Sequence, residues 1–292
     1  MTSDASQPWT VLRLINWTRE YFQRADVQSP RLSAEILLAH VLGCLRIDLY
    51  ARFADVPSDE QRTAFRELVR QAAEHYPVAY LVGVKEFYSL PIKVTADVLI
   101  PRSETEILVA EAIANLSARP GATSLWDACT GSGCIAAAVA RSIADVTVLA
   151  TDVSEAAVAV AADNAAAHDL GDRVHCRVAD LLTLPDTWDG PRQFDAITAN
   201  PPYVAEGDDV AQNVRHEPSI ALYAGSDGLE FLQPLIAAAP GFLRPGGALI
   251  VEFAWNQADP VRDLIAANPD LAEPRVLMDP QQIERAAVSI RR

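Results

Sequence analysis

What is scarce in this chain narrows its class before any motif is read. Only four cysteines occur, Cys44, Cys129, Cys134 and Cys176, and none forms a C-x-x-C pair. That excludes a disulfide frame and the ligand spacing of a zinc site. The five histidines (His40, His75, His168, His175, His216) are scattered, so no metal is expected. No apolar run approaches the roughly 18 residues a membrane span requires. The opening MTSDASQPWT lacks a basic-then-apolar leader pattern, so a soluble, cytoplasmic protein without a membrane partner is expected. Basic residues are scarce too: 24 Lys and Arg against 39 Asp and Glu give a net charge of −15. Phosphate contacts dominate nucleic-acid affinity and need a basic face, so no direct nucleic-acid partner is expected. What is present is apolar. Half of the 292 residues are hydrophobic, enough for a sizeable core and, at this length, for two domains.

Up to about residue 84 the pattern is helical. Val11-Leu12, Leu14-Ile15 and Tyr21-Phe22 recur near helical spacing; Ala34 to Leu42 follows Ser33 as an expected N-cap and ends at Gly43; Asp59 opens a third helix that stops before Pro77. Glu86 to Val94 mixes aromatic and β-branched residues with a proline, which reads as a hairpin or edge strand. From Thr123 onward strands and helices alternate, the pattern of an α/β domain with a mostly parallel sheet. The expected strands are 124–128, 146–151, 174–179, 194–199 and 248–252, with Gly246-Gly247 as a turn before the last. Helices are expected over Cys134 to Ser142, Ala156 to Ala167 behind a Ser154 cap, Gly228 to Leu243, and Val261 to Ala267. Two short tail segments, Arg275 to Met278 and Ala286 to Ile290, are expected to pair antiparallel at the sheet edge.

Two loops carry the chemistry. Cys129-Thr130-Gly131-Ser132-Gly133 lies between a strand and a helix, with Asp152 some 20 positions on, as in nucleotide-binding α/β folds. Gly131-x-Gly133-x-x-Ala136 alone also satisfies a nicotinamide pattern. Asp127 before the loop and Asp180 after the third strand favour S-adenosylmethionine, because three acidic strand ends suit a cationic sulfonium better than a pyrophosphate. The second loop, Asn200-Pro201-Pro202-Tyr203, follows Phe194 to Ala199. Two prolines end that strand and leave an amide side chain and a backbone carbonyl where open sheets bind ligands. A rigid pair of acceptors beside an aromatic ring suits a flat group bearing N–H₂.

Several further motifs occur in fixed order. They are Glu86-Phe87-Tyr88-x-Leu90-Pro91, Ile100-Pro101-Arg102-x-x-Thr105-Glu106, Asp127-x-x-Thr130-Gly131-Ser132-Gly133, Asn200-Pro201-Pro202-Tyr203-Val204, and Glu217-Pro218 with Gly225-x-Asp227-Gly228. Together they resemble the HemK/PrmC family, the glutamine methyltransferases of peptide chain release factors. The resemblance implies a helical substrate-binding domain over 1–84, a hairpin linker over 85–100, and a catalytic domain over 101–292. That last domain would have the seven-stranded, Rossmann-like sheet of class I S-adenosylmethionine-dependent methyltransferases. It implies class 1 release factors as protein partners, acting as substrate for a monomeric enzyme. Cys129, Thr130, Gly131, Ser132, Gly133 and Asp152 would hold the cofactor with Asp127 and Asn200, and Asp180 and Leu181 would flank its adenine. Asn200 Oδ1 and the Pro201 carbonyl would accept the two N–H bonds of the glutamine amide, with Pro202 stiffening the turn and Tyr203 on the amide face.

Cys129 departs from the glycine common at that loop position. With Arg215-His216-Glu217-Pro218 it also resembles sister enzymes that methylate a glutamine of a large-subunit ribosomal protein. A DNA adenine or cytosine amino-methyltransferase shares N-P-P-Y, but the charge of −15 counts against it. A non-catalytic cofactor-binding module is the third alternative.

Overall fold

The computed structural model describes residues 8–292; residues 1–7, which are most of MTSDASQPWT and the first seven positions of the domain expected over 1–84, lie outside the described residues. The chain forms two compact units. One comprises the described residues up to Gly83 with Ala211–His216, the other Val84–Val210 with Glu217–Arg292.

The first unit is helical. α1 (Val11–Arg24) starts where the Thr10 hydroxyl accepts from the Arg13 amide, and it buries Val11, Leu14, Ile15 and Phe22 on one face. α2 (Pro30–Leu42) begins one turn earlier than expected. Ser29 holds the N-cap position and Pro30, with its preset φ, opens the helix, while Ser33 sits inside it and donates back to the Gln28 carbonyl. Gly43 ends α2 in the left-handed conformation, as expected. A 3-10 turn (Arg46–Arg52), α3 (Asp59–Ala73) and the short α4 (Val78–Val82) complete the unit. Glu35 is buried on α2. Burial alone would raise its carboxyl, but hydrogen bonds from Arg31, Arg46 and Tyr50 outweigh that and hold it below the usual carboxylate range. His216 packs edge-on against Tyr76, ring centroids 5.3 Å apart.

The second unit opens with a hairpin of β1 (Val84–Phe87) and β2 (Leu90–Lys93). A 3-10 turn (Ser103–Thr105) leads into α5 (Glu106–Ser117). The alternating core follows as β3 (Thr123–Ala128), α6 (Cys134–Ser142), β4 (Val146–Asp152), α7 (Glu155–Ala167), β5 (Val174–Val178) and β6 (Phe194–Ala199). After it come α8 (Leu232–Phe242), β7 (Leu243–Glu252), α9 (Ala258–Ala266), β8 (Arg275–Met278) and β9 (Glu284–Ile290). The sheet has seven strands in the order β5-β4-β3-β6-β7-β9-β8, with β9 antiparallel to β7 and β8 antiparallel to β9. β3 and β6 are buried at every residue, and their polar members are buried with the rest, Asp127 bonding Thr198 and Asp195 bonding Ser124 across the pair.

Two expectations fail here. α8 starts at Leu232 rather than Gly228, because Gly228 is left-handed (φ +73°) and the Asp227 carboxylate accepts the Leu229 amide. Gly246-Gly247 is not a turn before β7. The strand runs through it from Leu243, and the Gly246 amide and Gly247 carbonyl bond to Arg291 beyond the end of β9. The glycines absorb an irregular stretch in the strand, where Gly246 takes φ +74°.

Chain direction reverses between β3 and β6. The chain runs outward from β3 to β4 and β5, then returns to pair β6 on the other side of β3. Ala128 and Ala199 are register partners, so Cys129 and Asn200 leave adjacent strands side by side. This is the crevice at which open α/β sheets bind ligands.

Candidate active site

A cavity of about 310 Å³ occupies that crevice. Its glycine-loop wall contains Cys129, Thr130, Gly131 and Ser132. The loop turns sharply because Cys129 (φ +55°), Gly131 (φ +54°) and Gly133 (φ +76°) are all left-handed. Gly133 does not line the cavity. It is required by packing, since a Cβ there would come within 2.9 Å of the Ala161 Cβ on α7. Cys129 is the non-glycine member of the series, so the departure noted in the sequence falls on a position whose backbone favours glycine.

Asp152 closes β4 and lines the cavity. Its carboxylate accepts the Gly131 amide at 2.9 Å and the Ser154 amide at 3.0 Å, which ties the loop to the next helix start. Burial raises its pKa and those amides oppose the shift. Asp180 and Leu181 line the far end of the same cavity. Asp127 does not. It is fully buried behind the loop, where one oxygen accepts the Thr130 hydroxyl at 2.6 Å and the other the Thr198 hydroxyl at 2.7 Å. Burial pushes its carboxyl up to about 6 despite those two donors. Of the three acidic strand ends, two face the cavity and one braces the loop from behind.

Asn164 on α7, which carried no signal in the sequence, is a second brace. Its amide nitrogen donates to the Ser132 carbonyl at 2.8 Å and to the Lys93 carbonyl at 3.0 Å, and its oxygen accepts the Lys93 amide at 2.7 Å. One buried side chain thus joins the hairpin to the glycine loop.

Asn200 and Pro202 also line the cavity, as do Pro101, Arg102 and Thr105. Asn200 Nδ2 donates to the Thr105 hydroxyl at 3.2 Å, and Asn200 Oδ1 is buried without a hydrogen-bond partner. A carbonyl oxygen left unpaired away from water costs about 1–3 kcal/mol unless a ligand donates to it. Pro201 is buried beneath the turn, and Tyr203 lies outside the cavity lining, with its hydroxyl donating to Glu252 Oε1 at 3.2 Å. Burial and the neighbouring Glu252 carboxyl raise the Tyr203 phenol well above its ordinary range, and burial pushes Glu252 itself up to about 7. The turn is clamped from outside. Gln257 donates to the Tyr203 carbonyl at 3.1 Å, and Val204 bridges to Tyr223. Gly228 must lack a side chain because a Cβ would come within 2.3 Å of the Tyr203 carbonyl oxygen.

The Ile100-Pro101-Arg102 and Glu217-Pro218 motifs meet here. Buried Glu217 accepts the Ile100 amide at 2.9 Å and pairs with the Arg102 guanidinium. Thr105, Thr198 and Glu252 went unassigned in the sequence, although Thr105 stands within a quoted motif and Thr198 is the polar break in an otherwise apolar strand.

This fold and cavity define a class I methyltransferase. Residues 105–225 match the methyltransferase small domain, and residues 13–83 match the PrmC N-terminal domain. The chain is 44% identical to the release factor glutamine methyltransferase of Rhodopirellula baltica, over 93% of each chain. It is 38% identical to the protein of the same name from Geobacter sulfurreducens, over 95% of each. It belongs to the release factor glutamine methyltransferase family. The solved structure of a methyltransferase from Pyrococcus furiosus, 18% identical with a TM-score of 0.50, covers 80% of this chain and 98% of that one and shares the fold alone. No described helix is long and apolar enough to cross a membrane.

Proposed function

We propose that this chain methylates the side-chain amide nitrogen of the glutamine in the Gly-Gly-Gln loop of class 1 peptide chain release factors, with S-adenosylmethionine as donor. The observation that carries the reading is the buried, unpartnered Asn200 Oδ1 in the wall of the cavity that the glycine loop also lines. The residues suit the donor. Asp152 offers carboxylate oxygens at the end of β4 for ribose hydroxyls, and Asp180 with Leu181 offers an edge for adenine. Bound there, S-adenosylmethionine supplies an electrophilic methyl group on a cationic sulfur.

The protein's own part is positioning. Asn200 Oδ1 and the Pro201 carbonyl accept the two N–H bonds of the glutamine amide and turn its nitrogen lone pair toward the methyl group. That alignment opposes amide planarity, which otherwise holds the lone pair in conjugation. With the donor bound, the amide nitrogen would take the methyl group as the sulfur leaves with the bonding pair, and the nitrogen would then release one proton to water. No strong base is needed, so orientation and fixed acceptors supply the rate enhancement. Asp127 braces the cofactor loop from behind through the hydroxyl bonds it accepts from Thr130 and Thr198. The helical unit grips the release factor, the hairpin links it to the catalytic domain, and the enzyme works as a cytoplasmic monomer without binding nucleic acid directly.

The test uses a methyl-labelled donor. Label should enter the cognate release factor and not its Gln→Ala form at the Gly-Gly-Gln loop. Label in a large-subunit ribosomal protein with none in any release factor would replace the substrate and keep the chemistry.

A further inference from the structure

Four of the five tryptophans have a place in the fold. Trp126 and Trp188 are buried and donate to the Thr151 hydroxyl and the Pro191 carbonyl, while Trp9 and Trp17 pack edge to face. Trp255 has none. It is 68% exposed and, among the described residues, its indole has neither a ring contact nor a hydrogen-bond partner. A lone exposed apolar side chain is ordinary on a soluble protein, so exposure by itself says nothing. Placement does. β7 runs parallel to β6 with Val251 opposite Ala199, so both strands leave the sheet at the same edge, Asn200 level with Glu252 and Trp255 three residues further on.

The turn that carries Trp255 is locked to the acceptor turn. It spans residues 254–257 and is closed twice, by the Gln257 amide on the Ala254 carbonyl at 2.8 Å and by the Ala254 amide on Gln257 Oε1 at 2.9 Å. Gln257 is buried, and its Nε2 donates to the carbonyls of Tyr203 and Asp227, each at 3.1 Å. A second uncovered apolar residue is tied to the same place. Ile220, 56% exposed, lines the cavity from the 3-10 turn Ser219–Ala221. The loop that follows is fastened to Val204, whose amide donates to the Leu222 carbonyl at 2.8 Å and whose carbonyl accepts the Ala224 amide at 2.9 Å. Consecutive residues Tyr203 and Val204 therefore anchor two large apolar side chains that the fold leaves in water.

We propose that Trp255 and Ile220 form an apolar docking rim for the polypeptide flanking the methylated glutamine, so that the substrate is recognised as a protein loop and not as an isolated amide. The inference rests on the proposed glutamine-methylating function. The occupant follows from continuity with the site: Ile220 belongs to the wall of the cavity that holds the unpartnered Asn200 Oδ1, and Trp255 is braced to the turn that Asn200 opens. Whatever chain brings an amide to Asn200 must cross these residues. A Gly-Gly-Gln loop suits them, because two glycines put no side chain between the main chain and an apolar surface. An indole on a braced turn also gives up little freedom on binding, which is why tryptophan so often anchors protein interfaces.

The experiment compares Trp255→Ala, Trp255→Phe and Ile220→Ala with wild type, measuring kcat and KM for the cognate release factor, cofactor Kd by calorimetry, thermal midpoint and solution mass. Trp255→Ala should raise KM about tenfold and lower kcat by less than about threefold, the pattern of lost docking rather than lost chemistry. Trp255→Phe keeps an aromatic face and should recover most of that loss. Ile220→Ala should raise KM about threefold, with cofactor Kd within about twofold of wild type in every variant. An unchanged KM in Trp255→Ala, or a fall in kcat with KM unchanged, would overturn the inference. So would weakened cofactor binding, which would place these residues on the donor. A wild-type dimer that Trp255→Ala turns into monomer would give the rim to a second copy of this chain and overturn it too. If Trp255→Ala fails to fold, as its thermal midpoint reports, Ile220→Ala decides by the same KM criterion. A wild-type enzyme that leaves the release factor unmethylated would overturn the functional reading and this inference with it. One that methylates it, with Trp255→Ala at wild-type KM, would overturn this inference alone.

Discussion

The two walls of the cavity are built in opposite ways. The cofactor wall is local: Cys129 to Ser132 are consecutive, and their conformation follows from left-handed backbone at Cys129, Gly131 and Gly133. The acceptor wall is assembled from afar: Asn200 after β6 bonds Thr105 ahead of α5, and Tyr203 of the same turn bonds Glu252 at the end of β7. A local wall depends on backbone shape and tolerates few changes of residue size. A dispersed wall depends on the direction of hydrogen bonds and tolerates few changes of polarity.

That contrast can be broken by substitution. The largest effect is expected on the dispersed wall. Asn200→Ala should lower kcat by roughly 100-fold or more while leaving cofactor affinity within a few-fold, read by steady-state kinetics and calorimetry. Loss of cofactor binding without loss of kcat would reverse the assignment of the two walls.

Next comes Gly133→Ala on the local wall. The left-handed backbone and the approach to Ala161 should together cost about 2 kcal/mol or more, seen as a lower thermal midpoint and weaker cofactor binding. An unchanged midpoint would mean the loop yields more easily than its packing implies.

Asp127, which braces the local wall, gives a smaller effect with a definite sign. Its carboxyl sits at about 6 in the folded protein against an ordinary 3.8, so the fold holds its proton more tightly than the unfolded chain does. That contribution to stability is full below the ordinary value and is lost as pH rises through about 6. A bound cation favours the ionised form, so cofactor affinity should rise by up to about tenfold between pH 5 and pH 7, and Asp127→Asn should flatten the rise. Affinity that stays level with pH in the wild type would separate Asp127 from the cofactor.

The smallest effect is at Cys129. Cys129→Gly should stabilise the protein by at most about 1 kcal/mol, because relief of left-handed strain is partly offset by the extra freedom of glycine in the unfolded chain. A measurable loss of stability would show that the Cys129 side chain contributes more packing than its conformation costs.

How much of this could be read in advance follows the same divide. The spans Cys134–Ser142 for α6 and Phe194–Ala199 for β6 were legible because buried parallel strands and apolar helices leave long apolar runs between turn residues. The glycine loop was legible for the same reason, being one short stretch. Ser33 misled because two serines precede α2's apolar face, and Pro30 rather than the serine decides where the helix starts. Gly246-Gly247 misled because glycine marks irregular strands as well as turns. Asp127 was grouped with Asp152 and Asp180 as an acidic strand end, yet its orientation depends on Thr198, a neighbour supplied by the pairing of β3 with β6. The ties from Asn200 to Thr105 and from Tyr203 to Glu252 had no sequence signal beyond residue type, since they depend on strand order and side-chain direction. Asn200 itself stood out because two prolines follow it.

The central claim is that the acceptor is a glutamine amide nitrogen presented to Asn200. Mass-spectrometric mapping of the cognate release factor after incubation with enzyme and S-adenosylmethionine tests it most directly. The account expects one added methyl group, on the side-chain nitrogen of the Gly-Gly-Gln glutamine, and none with the Asn200→Ala enzyme on the same timescale. A methyl group on any other residue, or undiminished transfer by Asn200→Ala, would contradict it.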